Sequence, residues 1–122
     1  MPSLRRKTVE VNERRQNGIV VFGLKGRLDS NTSGDFEKQL LGRVQGGETQ
    51  LVLDFSELDY ISSAGLRVLL KAVKELKRSD GKLCVCAVKD YIREIFSLSG
   101  FLSFLPTYAT LEEALHTFPP LA

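Results

Sequence analysis

The run Leu51-Val52-Leu53-Asp54-Phe55 is too short and too apolar to be a helix face, and it leads within a few residues into a strongly amphipathic segment. In that segment Leu66, Leu69, Leu70, Val73 and Leu76 recur at helical spacing, which predicts a helix from about Ser63 to Ser79 with one buried stripe. A strand that is apolar along its whole length is buried on both faces, as strands inside a parallel sheet are. A buried strand followed at once by a one-faced helix is what an α/β domain with a mainly parallel sheet repeats along its chain.

The rest of the chain fits that frame. Thr8 to Glu13 alternates apolar and polar residues, Asn17-Gly18 is a turn signal, and Ile19 to Leu24 is a second apolar run, together predicting a hairpin. Phe36, Leu40, Leu41 and Val44 predict a helix ending near Gly46-Gly47. Lys82 to Val88 reads as a fourth strand, and Asp90 opens a helix with Ile92, Ile95 and Phe96 inward and Gly100 as its stop. Pro106 restricts any strand between Phe101 and Tyr108 to a short or edge position. Thr110 with Glu113 forms a capping-box pattern for a last helix to about Thr117, stopped by Pro119-Pro120. The expected fold is α/β, a small mixed and mostly parallel sheet of about five strands with about four helices, in one domain over residues 1–122. Functional loops of such sheets gather at the carboxyl ends of the strands. Two loops qualify, Gly26 to Ser33 and Leu58 to Ser63, and they should be neighbours in space.

Bulk properties narrow the function. With 122 residues, a net charge of +2 and 26% charged residues, the chain lacks the clustered basic footprint of a nucleic-acid binder. No apolar run approaches the roughly 18 residues of a membrane span, and the basic start, Met1 to Lys7, has no apolar segment behind it. A cytoplasmic location without membrane insertion is therefore expected. Cys84 and Cys86 stand two apart on a strand, where a bridge would be strained, and are read as buried reduced thiols. His116, the only histidine, has no identifiable nucleophilic partner. No Walker or GxGxxG pattern occurs, so no enzyme activity and no cofactor is expected.

The chemistry concentrates in Ser62-Ser63-Ala64-Gly65-Leu66. A serine at a helix start is first of all an N-cap. The same position also suits a phosphoryl acceptor, because free N–H groups and the helix dipole stabilise an anion there. Gly65, which costs roughly 1 kcal/mol relative to Ala in a helix, calls for a reason such as close approach of another surface. Arg67, Lys71, Lys74 and Arg78 make a basic stripe down the same helix. It is either a solvated face or a docking strip for an acidic partner. Asp29, Ser30, Asn31 and Thr32 form the facing polar loop, with turn and capping roles or a contact to the serines.

These residues resemble the STAS domain of bacterial anti-sigma factor antagonists, along nearly the whole chain. The resemblance is carried by the hairpin, Gly26-Arg27-Leu28-Asp29, Leu51 to Phe55, Tyr60-Ile61-Ser62-Ser63-Ala64-Gly65-Leu66, Gly81-Lys82-Leu83 and Ile95 to Phe101. It implies helices packed chiefly on one side of the sheet. It also implies a partner switch. The unphosphorylated form binds an anti-sigma factor that is also a serine kinase of the GHKL ATPase type, freeing a sigma factor. Phosphorylation ends binding, and a PP2C-type phosphatase restores it. The family's acceptor falls on Ser63. Ser62 stands where many members have Asp, which makes it the alternative acceptor, and the Gly-x-Leu-Asp aspartate falls on Asp29. The partner surface expected is Asp29, Asn31, Thr32, Ser62, Ser63, Gly65, Leu66, Arg67, Lys71 and Lys74. A second reading of the same resemblance is an accessory subunit of a lipid or anion transporter that binds its ATPase without phosphorylation. A monomer is implied, with apolar residues near Phe101 and Phe104 as material for a weak homodimer.

Overall fold

The structure, a computed structural model, describes residues 9–119. Thr8, expected to open the first strand, the basic Met1 to Lys7 and the helix-stopping Pro120 lie outside the described residues. Strand β1 (Val9–Gln16) and β2 (Ile19–Leu28) form the hairpin. Asn17 and Gly18 turn it with φ of 55° and 79°, the doubly positive turn whose twist matches that of the strands. Helix α1 (Ser33–Gln45), β3 (Gln50–Ile61), α2 (Ser63–Lys77), β4 (Lys82–Cys86), α3 (Asp90–Ser99), β5 (Thr107–Tyr108) and α4 (Leu111–His116) follow. A single 3₁₀ turn, Phe101–Ser103, leads from α3 towards β5. The sheet order is β1-β2-β3-β4-β5, antiparallel at the hairpin and parallel elsewhere. Among the described residues no helix is long and apolar enough to cross a membrane.

Alternation along the strands divides the interior into two layers. Val20, Phe22, Leu24, Leu51, Leu53, Phe55, Leu83 and Val85 face Phe36 and Leu40 of α1, Val68, Leu69 and Leu76 of α2, and Ile92 and Phe96 of α3. Ile19, Val21, Val52, Cys84 and Cys86 face the other way and are covered by Ala114, Leu115 and Phe118 in and after α4. Three helices therefore pack on one face and one on the other. The Thr110 hydroxyl accepts from the Glu113 N–H (3.1 Å). The Glu113 carboxylate in turn accepts from Ala109 N–H (3.2 Å), a capping box displaced by one residue.

Two expectations are corrected. First, β2 and β3 run much further than their apolar cores, because the parallel pairing continues through Arg27–Tyr60 and Leu28–Ile61 across two shifts of register. Leu28, Leu58 and Ile61 are buried, so Gly26 to Leu28 and Leu58 to Ile61 are strand and not loop. Second, β4 ends at Cys86, two residues short of Val88. Phe101 is buried against Phe96 with ring centroids 5.8 Å apart, and Phe104 packs on Phe101 at 4.8 Å; the exposed apolar side chains near them are Leu98 and Leu102.

What positions the carboxyl-end corner is the contact between the first turn of α2 and the end of β2. The Ser62 N–H donates to the Leu28 carbonyl at 2.9 Å. Gly65 lies directly against this strand end. A Cβ there would stand 2.7 Å from Ile61 Cγ1, 3.0 Å from the Leu28 carbonyl oxygen and 3.1 Å from Leu28 Cγ. The glycine is required by an internal close approach of helix and strand.

Two predictions follow from this packing. Gly65→Ala should lower stability by about 1–3 kcal/mol through overpacking, despite alanine's better helix propensity. A denaturant midpoint at or above that of the parent would contradict it. The second concerns the thiols, which are buried and unbridged. Burial pushes Cys84 up to about 11 from an ordinary 9.0, and burial with Asp54 nearby pushes Cys86 up to about 12. The unfolded chain releases these protons first and so binds fewer of them. Stability should therefore fall as pH rises from about 9 towards 11. Denaturation midpoints across that range should fall more steeply for the parent than for a Cys84→Ala, Cys86→Ala variant, and equal slopes would contradict the assignment.

Candidate functional site

The two loops expected to be neighbours meet at this corner. After the strands are extended, what remains of them is the turn Asp29 to Thr32 and the single residue Ser62. The turn is closed almost entirely by its own polar groups. The Asp29 carboxylate accepts from the N–H groups of Asn31 (2.9 Å) and Thr32 (3.2 Å), with the Thr32 hydroxyl 3.3 Å away. Thr32 Oγ1 also accepts from Asp29 N–H (2.9 Å) and donates to the Arg27 carbonyl (2.8 Å). The Ser33 hydroxyl donates to the Asp29 carbonyl at 2.5 Å. Burial works to raise the Asp29 carboxyl, but the Asn31 and Thr32 N–H groups, the Thr32 hydroxyl and nearby Arg27 outweigh it and hold it below the usual carboxylate range. Asp29 is thus a charged turn-former, and its hydrogen bonds among the described residues stay within its own loop. Its carboxylate makes no hydrogen bond to Ser62 or Ser63 among the described residues.

The two serines are unlike. Ser62 is the N-cap of α2, with extended backbone, and its hydroxyl accepts from the Gly65 N–H at 3.4 Å. It is half-buried. Ser63 is the first helical residue and is exposed, with no side-chain hydrogen bond among the described residues. The capping role read from the sequence therefore belongs to Ser62, and Ser63 presents a free hydroxyl. No acidic residue lies in the first turn of α2, so no carboxylate there opposes a second negative charge.

The remaining candidates separate by exposure. Asn31, Arg67 and Lys74 are exposed, and Leu66 is half-buried against the core. Thr32 and Gly65, expected on a partner surface, are buried beneath this corner. The basic stripe is partly neutralised. Lys71 Nζ lies 2.9 Å from Glu37 Oε2 on α1, and Arg78 lies 3.9 Å from Glu75. Arg67 and Lys74 have no ion-pair partner among the described residues.

Two side chains that gave no signal of their own complete the corner. The Arg27 guanidinium lies over the Tyr60 ring, 4.2 Å from its centroid, with Nε 3.6 Å from Asp29 Oδ2. Tyr60 in turn stacks on Tyr91 at the start of α3, with centroids 6.5 Å apart. Beside them Lys89 Nζ meets Asp59 Oδ1 at 2.5 Å. Only the shifted strand register brings Arg27 opposite Tyr60, so alternation alone could not have found the pair.

This arrangement can be set beside known proteins. The STAS domain family model matches residues 10–114. The protein BtrV of Bordetella bronchiseptica, which its name marks provisionally as an anti-sigma factor antagonist, is 41% identical over 102 residues, covering 84% of this chain and 88% of its own length. The crystal structure of an anti-sigma factor antagonist from Mycobacterium paratuberculosis superposes with a TM-score of 0.85 at 25% identity, over 93% of this chain and 96% of that one. The phosphorylated form of the Bacillus cell fate determinant SpoIIAA shares the fold, with a TM-score of 0.71 at 24% identity, over 88% of this chain and 98% of that one. The family model spans most of the chain and the relatives match over most of their own length, and the chain belongs to the STAS domain family.

Proposed function

We propose that this chain is an anti-sigma factor antagonist that acts as a phosphorylation-controlled partner switch. In this reading the unmodified form binds an anti-sigma factor that is also a serine kinase of the GHKL ATPase type, and a sigma factor is released. Phosphorylation of Ser63 ends the binding, and a PP2C-type phosphatase reverses it. The names of the relatives support the antagonist role. The observation that carries the switch is the division of labour between the serines, in which Ser62 is spent as a cap while Ser63 is exposed and uncommitted at the positive end of a 15-residue helix.

The physical logic is that of a charge added to a rigid surface. A phosphoryl group brings about −2 of charge and three acceptor oxygens. At a helix N-terminus the fold accommodates it, and the same fold is known with a phosphate in SpoIIAA. The cost falls on the complex, where the dianion would have to be desolvated against the partner. Arg67 and Lys74 would steer an acidic partner surface, whereas Lys71 is already held by Glu37 and contributes less.

The test is incubation of the chain with the partner kinase and ATP, followed by intact-mass analysis and site mapping. One phosphoryl group should be added on Ser63. Ser63→Ala should abolish the addition and Ser62→Ala should retain it. The modified chain should bind the anti-sigma factor at least about tenfold more weakly, or ~1.4 kcal/mol. Modification at Ser62, or binding that is unchanged by phosphate, would overturn the reading.

A further inference from the structure

We propose that two copies of this chain pair antiparallel through β1, with Glu10 of each copy set against Arg14 of the other. β1 is the end strand of the sheet and pairs only with β2 among the described residues. Its eight residues run in unbroken register, without proline or bulge, so it lacks two of the devices that keep an exposed edge from pairing. The occupant is a second copy because the charges along the strand complement themselves. Glu10 and Glu13 come first, and Arg14 and Arg15 come last, so a reversed copy brings base to acid. The proposal stands independently of any modification of Ser63.

The two faces of β1 differ in what their charges already do. Glu13 and Arg15 are committed within the chain, to Arg43 of α1 and to Glu48. Glu10, Asn12 and Arg14 lie on the opposite face and are exposed. They make no ion pair and no side-chain hydrogen bond among the described residues. Lys25 stands opposite Glu10 across the hairpin, yet the two form no ion pair. With Gly23, Lys25 and Asp54 these three side chains line one polar depression on the sheet, and Glu10 and Arg14 reach its rim as free charges of opposite sign.

The hairpin turn fixes the register. A two-residue turn makes its flanking residues, Gln16 and Ile19, a hydrogen-bonded pair, and bonded and non-bonded pairs alternate from there. Gln16, Arg14, Asn12 and Glu10 therefore direct their backbone groups to β2, while Arg15, Glu13, Val11 and Val9 direct theirs outward. Val11 then bonds Glu13 of the other copy. Asn12 meets its own counterpart and Glu10 meets Arg14 at non-hydrogen-bonded positions, where side chains stand closest. A slip of two residues either way sets Glu10 opposite Asn12 or Gln16 and loses both ion pairs. The contact is isologous and closes at two copies. It also leaves room for the helices. α1 lies over β2, with Phe36 on Phe22, and the two β2 strands would stand three strand spacings, about 14 Å, apart, against a helix diameter of about 10–12 Å.

Sedimentation equilibrium of the full chain tests this. An interface so small and polar belongs to the weak, transient class, so a concentration-dependent dimer should appear between about 10 μM and 1 mM. Glu10→Arg sets like charges opposite one another at both symmetric positions and should weaken the dimer at least about tenfold. Arg14→Glu should do the same. Glu10→Arg combined with Arg14→Glu should restore the parent's association, because the swap rebuilds both pairs. Asn12→Cys should crosslink to a dimer on mild oxidation, since the two-fold sets that residue against its own copy. A parent that stays monomeric to about 1 mM, a dimer indifferent to either single charge reversal, a double variant no tighter than the single ones, or no crosslink through position 12 would each overturn the proposal.

Discussion

The corner depends on a helix and a strand meeting closer than side chains normally allow. The Leu28 carbonyl receives the Ser62 N–H and also lies 3.0 Å from where a Cβ on Gly65 would be. That contact sets the direction in which α2 leaves the sheet. It fixes which serine caps and which is presented, and it brings the Asp29 turn alongside. A residue larger than glycine would lift the helix off the strand end and alter all three together. The glycine's conformational cost is offset by this placement.

Around the corner, polar groups are used in two ways. Those of the Asp29 turn are satisfied internally, by bonds among Arg27, Asp29, Asn31, Thr32 and Ser33, which makes the turn a stiff feature. Those at Ser63, Arg67 and Lys74 are left to solvent or to a partner. A stiff support carrying a few uncommitted groups is what a charge-operated switch requires. On the proposed reading, a phosphate on Ser63 would find little to rearrange, and its effect would fall on the complex. Arg27 belongs between the two sets, since it is stacked on Tyr60 and only loosely held by Asp29.

Much of the architecture was legible from periodicity. The apolar run at Leu51 to Phe55, the Asn17-Gly18 turn and the helical stripe at Leu66, Leu69, Val73 and Leu76 each describe a local element, and local elements are what a linear pattern records. The ends of β2 and β3 were not legible. Lys25 to Arg27 and Ser56 to Glu57 are polar, and they remain strand because neighbouring strands hold them across shifted registers. The same holds for the site. Ser62 and Ser63 stood out as a pair, but which of them caps depends on where the helix starts, and that is set by Leu28 from another part of the chain. The Lys71–Glu37 pair and the Arg27–Tyr60–Tyr91 stack are tertiary contacts across 30 or more residues, with no linear signature. The STAS resemblance supplied the sidedness of the helices, which follows from topology more than from any one segment.

The central claim is that phosphate on Ser63 acts by charge on an unchanged fold. The most direct measurement is a comparison of amide NMR spectra of the unmodified chain and the chain carrying phosphoserine at position 63, each then titrated with the anti-sigma factor. The account predicts shifts confined to Ser62 to Leu66, Arg27 to Thr32 and Tyr60, with binding lost in the modified form. Shifts spreading to Phe22, Leu53 or the α4 residues Ala114 and Leu115, as the core repacks, would contradict it.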